Sequence, residues 1–186
     1  PVNESINNPA TLLLTGNNIY LQDLTLQNAL DYYKNNNGRA VALWDKGTHT
    51  ICKNVRLLSY QDTYYSNKIG AVRYFEDGEI HGTVDYICGD GSVFFENVLL
   101  YCEKRNVNGG GSDVITASNA NLNDKGYVFN RCRIQSECPI VSFGRAWNNA
   151  PQCVFLNTIA DYSKGEFGFI DGGKIARWTL MGMNVL

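Results

Sequence analysis

Asp62, in Tyr60-Gln61-Asp62-Thr63, and Asp85, in Gly82-Thr83-Val84-Asp85-Tyr86-Ile87-Cys88-Gly89, stand 23 residues apart, and the surrounding sequence repeats with roughly that period. In a chain that coils strand upon strand, with about 4.8 Å between neighbours, such an interval can set two carboxylates side by side on one face. Paired carboxylates in different environments can divide the work of nucleophile and general acid. A third polar cluster, Phe143-Gly144-Arg145-Ala146-Trp147, adds a guanidinium and an indole. Each cluster alone has a plainer reading, since an Asp after a strand is often a turn former and an Arg beside a Trp often only packs at the surface.

The elements that must position these residues are short strands. Apolar alternation recurs in segments such as Thr50 to Leu58, Val72 to Ile80, Val93 to Leu100 and Tyr127 to Ile134, with no sustained helical period. Aligning Leu24, Val55, Gly78, Val98, Cys132 and Thr158 gives steps of 31, 23, 20, 34 and 26 residues. Repeats of that size with variable loops mark a solenoid, and strand units without helices favour a parallel β-helix. An antiparallel β-sandwich is the alternative. Against it stands similar polar bend chemistry at matching places, Lys53-Asn54, Glu76-Asp77, Glu96-Asn97 and Asn130-Arg131, where Asn side chains can stack and hydrogen-bond along the axis. The Asn- and Gly-rich run Asn106 to Ser112 reads as an excursion between coils, and residues 1–186 as a single domain.

Of the 186 residues, 44% are hydrophobic and 18% charged, which suits a globular chain and not a disordered one. The net charge of −2 comes without a basic stripe, so nucleic acid is not an expected partner. No apolar run reaches membrane-spanning length. Six cysteines without a Cys-x-x-Cys pair, several inside apolar strand patterns, read as small buried hydrophobes more readily than as three disulfides. With only His49 and His81, a histidine-based triad or metal site has little to draw on; no metal and no cofactor is expected.

Taken together, Gln61-Asp62-Thr63, Asp85-Tyr86-Ile87-Cys88-Gly89 and Phe143-Gly144-Arg145-Ala146-Trp147 resemble the QDT, DFIFG and LGRPW signatures of the pectin methylesterase (pectinesterase) family. Gly38-Arg39-Ala40-Val41-Ala42-Leu43 resembles its GQAVAL segment, Ile115-Thr116-Ala117 its ITA segment, and Glu79 to Val84 the run before its catalytic Asp. The likeness spans most of residues 10–180. It implies an all-β, right-handed parallel β-helix, in agreement with the repeat. It also implies a carboxylic ester hydrolase that removes methyl esters from pectin and releases methanol.

By that resemblance, Asp85 is the nucleophile, and Asp62 is the acid for departing methanol and then the base that activates water. Gln61 is an oxyanion donor, worth on the order of 3 kcal/mol, and Arg145 holds and aims Asp85. Trp147 offers a flat face to a sugar ring, and Arg39, Tyr86 and Thr63 are further candidates for contact with substrate. Two close carboxylates resist double ionisation, and the one beside Arg145 is expected to be the ionised member.

Three departures from the family pattern stand out: Arg39 replaces a Gln, Cys88 an aromatic residue and Ala146 a Pro. The family's upstream Gly-x-Tyr-x-Glu strand is absent and the chain opens at Pro1, so both ends read as truncated and nothing about export follows from the lack of a signal peptide. The substrate itself implies a secreted or periplasmic protein, and a monomer is expected. A pectate lyase or polygalacturonase on a similar scaffold lacks its Asp sets here. A non-catalytic carbohydrate-binding β-helix with a degenerate site is the remaining alternative.

Overall fold

The computed structural model describes residues 10–30, 38–105, 112–121, 123–147, 151–161, 166–170 and 177–185. Among them the strands form two sheets, of seven and twelve strands, every pairing parallel and without a helix between them. That excludes the antiparallel sandwich. Strands Leu12–Leu14, Leu43–Asp45, Tyr64–Ser66, Ile87–Gly89, Asp113–Ser118, Ile140–Ala146 and Glu166–Ile170 succeed one another in the smaller sheet in chain order. This is the succession of a solenoid, coiled in the right-handed sense that parallel crossovers take. Most of the run expected between coils, residues 106–111, lies outside the described residues.

The larger sheet bends along a line. Strand His49–Leu58 pairs through its first half with Val72–Glu76 and through its second with Glu79–Gly82. The bend is made by one residue per coil in the left-handed backbone region, Asp23, Asn54, Asp77, Asn97, Arg131 and Asn157, with φ between 48° and 54°. Asn and Asp tolerate that region better than other non-glycine residues. Their amides also link coils: Asn54 Nδ2 donates to Asp23 Oδ1 and Asn97 Nδ2 to Asp77 Oδ1, both at 2.7 Å. Arg131, the exception, is held by Glu96 at 2.6 Å.

Alternation on either side of the bends sends one residue in two into the interior. Phe75, Phe95, Phe129 and Phe155 form a continuous stack there, with centroids 5.1, 4.5 and 4.5 Å apart. Burying each such ring contributes about 1.5–3 kcal/mol, and each ring pair about 0.5–1.5 kcal/mol more. Beside it runs an aliphatic row, Leu57, Ile80, Leu100 and Ile134, paired in register. All six cysteines are buried and none is disulfide-bonded.

Candidate active site

Asp62 and Asp85 each sit two residues before a strand of the smaller sheet, and those strands pair Tyr64 with Ile87. The two acids are therefore equivalent positions on successive coils. Both have left-handed backbone, φ 59° and 52°, and both are buried. The Asp62 amide donates to the Val84 carbonyl at 3.2 Å, and the Thr83 amide to the Tyr60 carbonyl at 2.9 Å, which fastens the two turns to one another. Gly82 allows this close approach, because a Cβ there would lie 2.6 Å from the Tyr60 carbonyl oxygen and 2.1 Å from Tyr86 Cβ.

Arg145 comes from further along the axis. In the outward row of the smaller sheet Tyr65 pairs with Cys88, Cys88 with Ala117 and Ala117 with Arg145. The small side chains of Cys88 and Ala117 leave space over which the guanidinium reaches back to Asp85. It donates through Nε to Oδ1 at 2.6 Å and through Nη2 to Oδ2, a bidentate pair that aims the carboxylate.

Asp62 has no such pair. Among the described residues its Oδ1 accepts only a weak thiol contact from Cys88, at 3.8 Å. Its buried Oδ2 has no hydrogen bond among the described residues, with Arg39 Nε misaligned at 3.3 Å. Burial pushes its acid up to about 7, and the charge of Asp85 adds to the effect, while Arg39 and Arg145 oppose it. Asp62 therefore keeps its proton up to near neutrality. Arg39 and Gln61 are bridged on adjacent coils. With Asp62, Asp85, Arg145 and Trp147 they line a cavity of about 180 Å³.

Six of the eight residues singled out in the sequence therefore meet at one cavity. Tyr86 and Thr63 do not. Tyr86 points into the core, its hydroxyl 3.6 Å from Cys102 Sγ. The fully buried Thr63 hydroxyl donates to the His81 carbonyl at 2.7 Å. Both support the coils under the site and neither faces the groove, a correction to the expectation of substrate contact. The left-handed turn at Asp85 restarts the in–out alternation, so its successor faces inward.

Two features had not been singled out. The Cys88 thiol is a neighbour of Asp62, and an aromatic row extends from the cavity, Trp147 to Tyr65 at 6.2 Å and Tyr65 to Trp44 at 5.8 Å. Lys46 lies 5.0 Å over the Trp44 ring. The alternation of Tyr64 and Tyr65 carried the signal for the second. Among the described residues no three His, Cys, Asp or Glu side chains gather as metal ligands do.

Fold and site together define a parallel β-helical protein with an ion-paired and a proton-bearing carboxyl on successive coils. The chain belongs to the pectinesterase family, whose family model matches residues 3–174. It is 32% identical over 187 residues to pectinesterase A of Dickeya chrysanthemi, with 82% of this chain and 50% of that protein covered. Against the probable pectinesterase/pectinesterase inhibitor 20 of Arabidopsis thaliana, identity is 27% over 183 residues, covering 92% and 30%. Its fold superposes on a pectin methylesterase of Erwinia chrysanthemi with a TM-score of 0.83 and 26% identity, over 95% of this chain and 64% of that one. The carrot pectin methylesterase shares the fold, with a TM-score of 0.84 at 21% identity, over 97% and 59%. The chain spans from about a third to a half of the length of these two curated relatives.

Proposed function

We propose that this chain carries the catalytic centre of a pectin methylesterase, a carboxylic ester hydrolase acting on methylated polygalacturonate outside the cytoplasm. The observation that carries the reading is the asymmetry of two stacked carboxyls, Asp85 gripped by Arg145 and Asp62 buried with its proton. An Asp85 oxygen attacks the ester carbonyl. The negative charge that develops on the carbonyl oxygen is met by the Gln61 amide, with the Arg39 guanidinium on the adjacent coil. Asp62 protonates the methoxy group, and methanol leaves a mixed anhydride on Asp85. Asp62, now a carboxylate, takes a proton from water as the hydroxyl attacks the acyl carbon. Asp85 departs as carboxylate, and the new galacturonic acid loses its proton to solvent.

The aromatic row supports a polymer as substrate, because the rings of Trp147 and Trp44, with the buried Tyr65 between them, extend the site along the sheet. A related pectin methylesterase has been solved with a bound hexasaccharide. The deciding experiment is methanol release from highly methylated pectin by the parent protein and its Asp85→Ala variant. Release by the first and none by the second is expected. A folded parent that binds pectin without releasing methanol is instead a binding module.

A further inference from the structure

A second cluster of titratable side chains lies on the outer face of the larger sheet, beside a cavity of about 170 Å³ lined in part by Arg56, Tyr60, His81 and Glu103. Its centre is His81, largely enclosed. Nε2 is 2.7 Å from Glu79 Oε2, and Nδ1 is 2.8 Å from Glu103 Oε1. A neutral imidazole has one N–H to donate. Both contacts are satisfied together only by an imidazolium, or by a carboxyl that has taken the proton instead.

The surroundings favour the imidazolium. Arg56, on the preceding coil, pairs with the other oxygen of Glu79. Burial raises the Glu79 acid, but its bonds to His81 and Arg56 outweigh that and hold it below the usual carboxylate value. Tyr101, from the following coil, stacks on the imidazole at 4.7 Å and 24° and turns its hydroxyl to Glu137, an arrangement that attracts a cation to the ring. Leu58 is the uncharged neighbour on the preceding coil. Burial of His81 works against its charge, yet the hydrogen bonds it donates to Glu103 and Glu79 raise its pKa above the ordinary imidazole value.

The strand so clamped, Glu79–Gly82, runs directly into Thr83-Val84-Asp85. Its His81 carbonyl accepts the Thr63 hydroxyl, one residue beyond Asp62, and its Gly82 carbonyl accepts the Glu103 amide at 2.8 Å. Both acids are thus tied to the same short strand. We infer that His81 is a positioning residue for the proposed reaction: as an imidazolium it staples three coils together at Glu79–Gly82 and keeps Asp62 and Asp85 in register. This rests on the esterase reading. The role is exerted through the strand, so it acts on the chemical step and not on polymer binding.

The test uses the parent protein with His81→Gln, which keeps a donor without charge, and His81→Lys, which keeps a charge that does not titrate near neutrality. His81→Gln is expected to lower kcat for methanol release by about tenfold, a displacement effect, with KM within about twofold. His81→Lys is expected to recover part of that loss. With rising pH the wild-type kcat falls through two groups, Asp62 and His81, whereas His81→Lys falls through Asp62 alone and less steeply. Nitrogen-15 histidine NMR reads the protonation of the ring directly, with loss of a signal in His81→Gln or His81→Lys providing the assignment.

An imidazolium signal for His81 at pH 6 is expected. A neutral His81 there, or variants with wild-type kcat and pH profile, overturns the inference while leaving methanol release intact. Absence of methanol release by the wild type overturns the esterase reading and the positioning role with it. If His81→Gln does not fold, His81→Lys and the wild-type spectrum still decide.

Discussion

Arg145 holds both carboxylate oxygens of Asp85 although the two residues lie 60 apart in sequence and on different coils. The grip depends on a planar fork, which lysine cannot reproduce. Arg145→Lys is expected to lower kcat by on the order of 10²-fold, with a smaller change in KM. Initial rates of methanol release across pectin concentrations check this.

Arg39 acts on the other acid. Its charge, 3.3 Å from Asp62 Oδ2, favours the carboxylate form and so opposes the burial that pushes Asp62 up to about 7. Removing that charge favours the acid form. The alkaline limb of kcat in Arg39→Gln is expected to lie at higher pH than in the wild type. A pH–rate profile showing the limb unmoved or lowered would refute the assignment of Asp62 as the acid.

Asp62 also sets a pH dependence of stability. Its folded acid, at about 7, lies above the ordinary value of 3.8, so between those values the folded state holds a proton that the unfolded state has lost. Stability therefore falls as pH rises through that window. Asp62→Asn removes the titration. Its melting temperature is expected to exceed the wild type's at pH 8 and to converge with it below about pH 4, while methanol release drops by about 10²-fold or more. Calorimetry at both pH values and one activity assay test the pair of outcomes.

Arg73 and Asp45, 3.0 Å apart and fully buried, form an ion pair at the turn between the sheets. Arg73 also donates to the Asp45 and Gly47 carbonyls at 3.1 Å, and the Gly47 amide to Asp45 Oδ1 at 2.8 Å. Asp45→Ala leaves the guanidinium uncompensated and is expected to cost about 3–5 kcal/mol, measured by chemical denaturation. A loss below about 1 kcal/mol would show that the turn re-forms around the cation.

The coil register was legible because the bends impose a backbone demand that few residues meet. Leu24, Val55, Gly78, Val98, Cys132 and Thr158, aligned on sequence alone, each follow directly the left-handed residue of their coil. The acidic pair was legible for a related reason, since one repeat of spacing becomes one step of stacking. Side-chain direction was legible only where alternation is unbroken. Tyr86 follows a left-handed turn and faces the core. Arg73 occupies an inward position of Val72-Arg73-Tyr74-Phe75, and the partner that stabilises it comes from the preceding coil. His81 has the same character, for one of its two carboxylates lies on its own strand and the other 22 residues on.

The stacked coils make this centre a matter of interval. Each turn of the solenoid bonds to the turn before and the turn after, so a whole turn can in principle be added with every backbone pairing remade. One inserted between the turns of Asp62 and Asp85 would leave a well-formed rod with its two acids about 4.8 Å further apart, beyond the reach of a shared proton. Growth by duplication of a turn is open to this architecture only outside the coils that run from Arg39 to Arg145, across which the site is assembled.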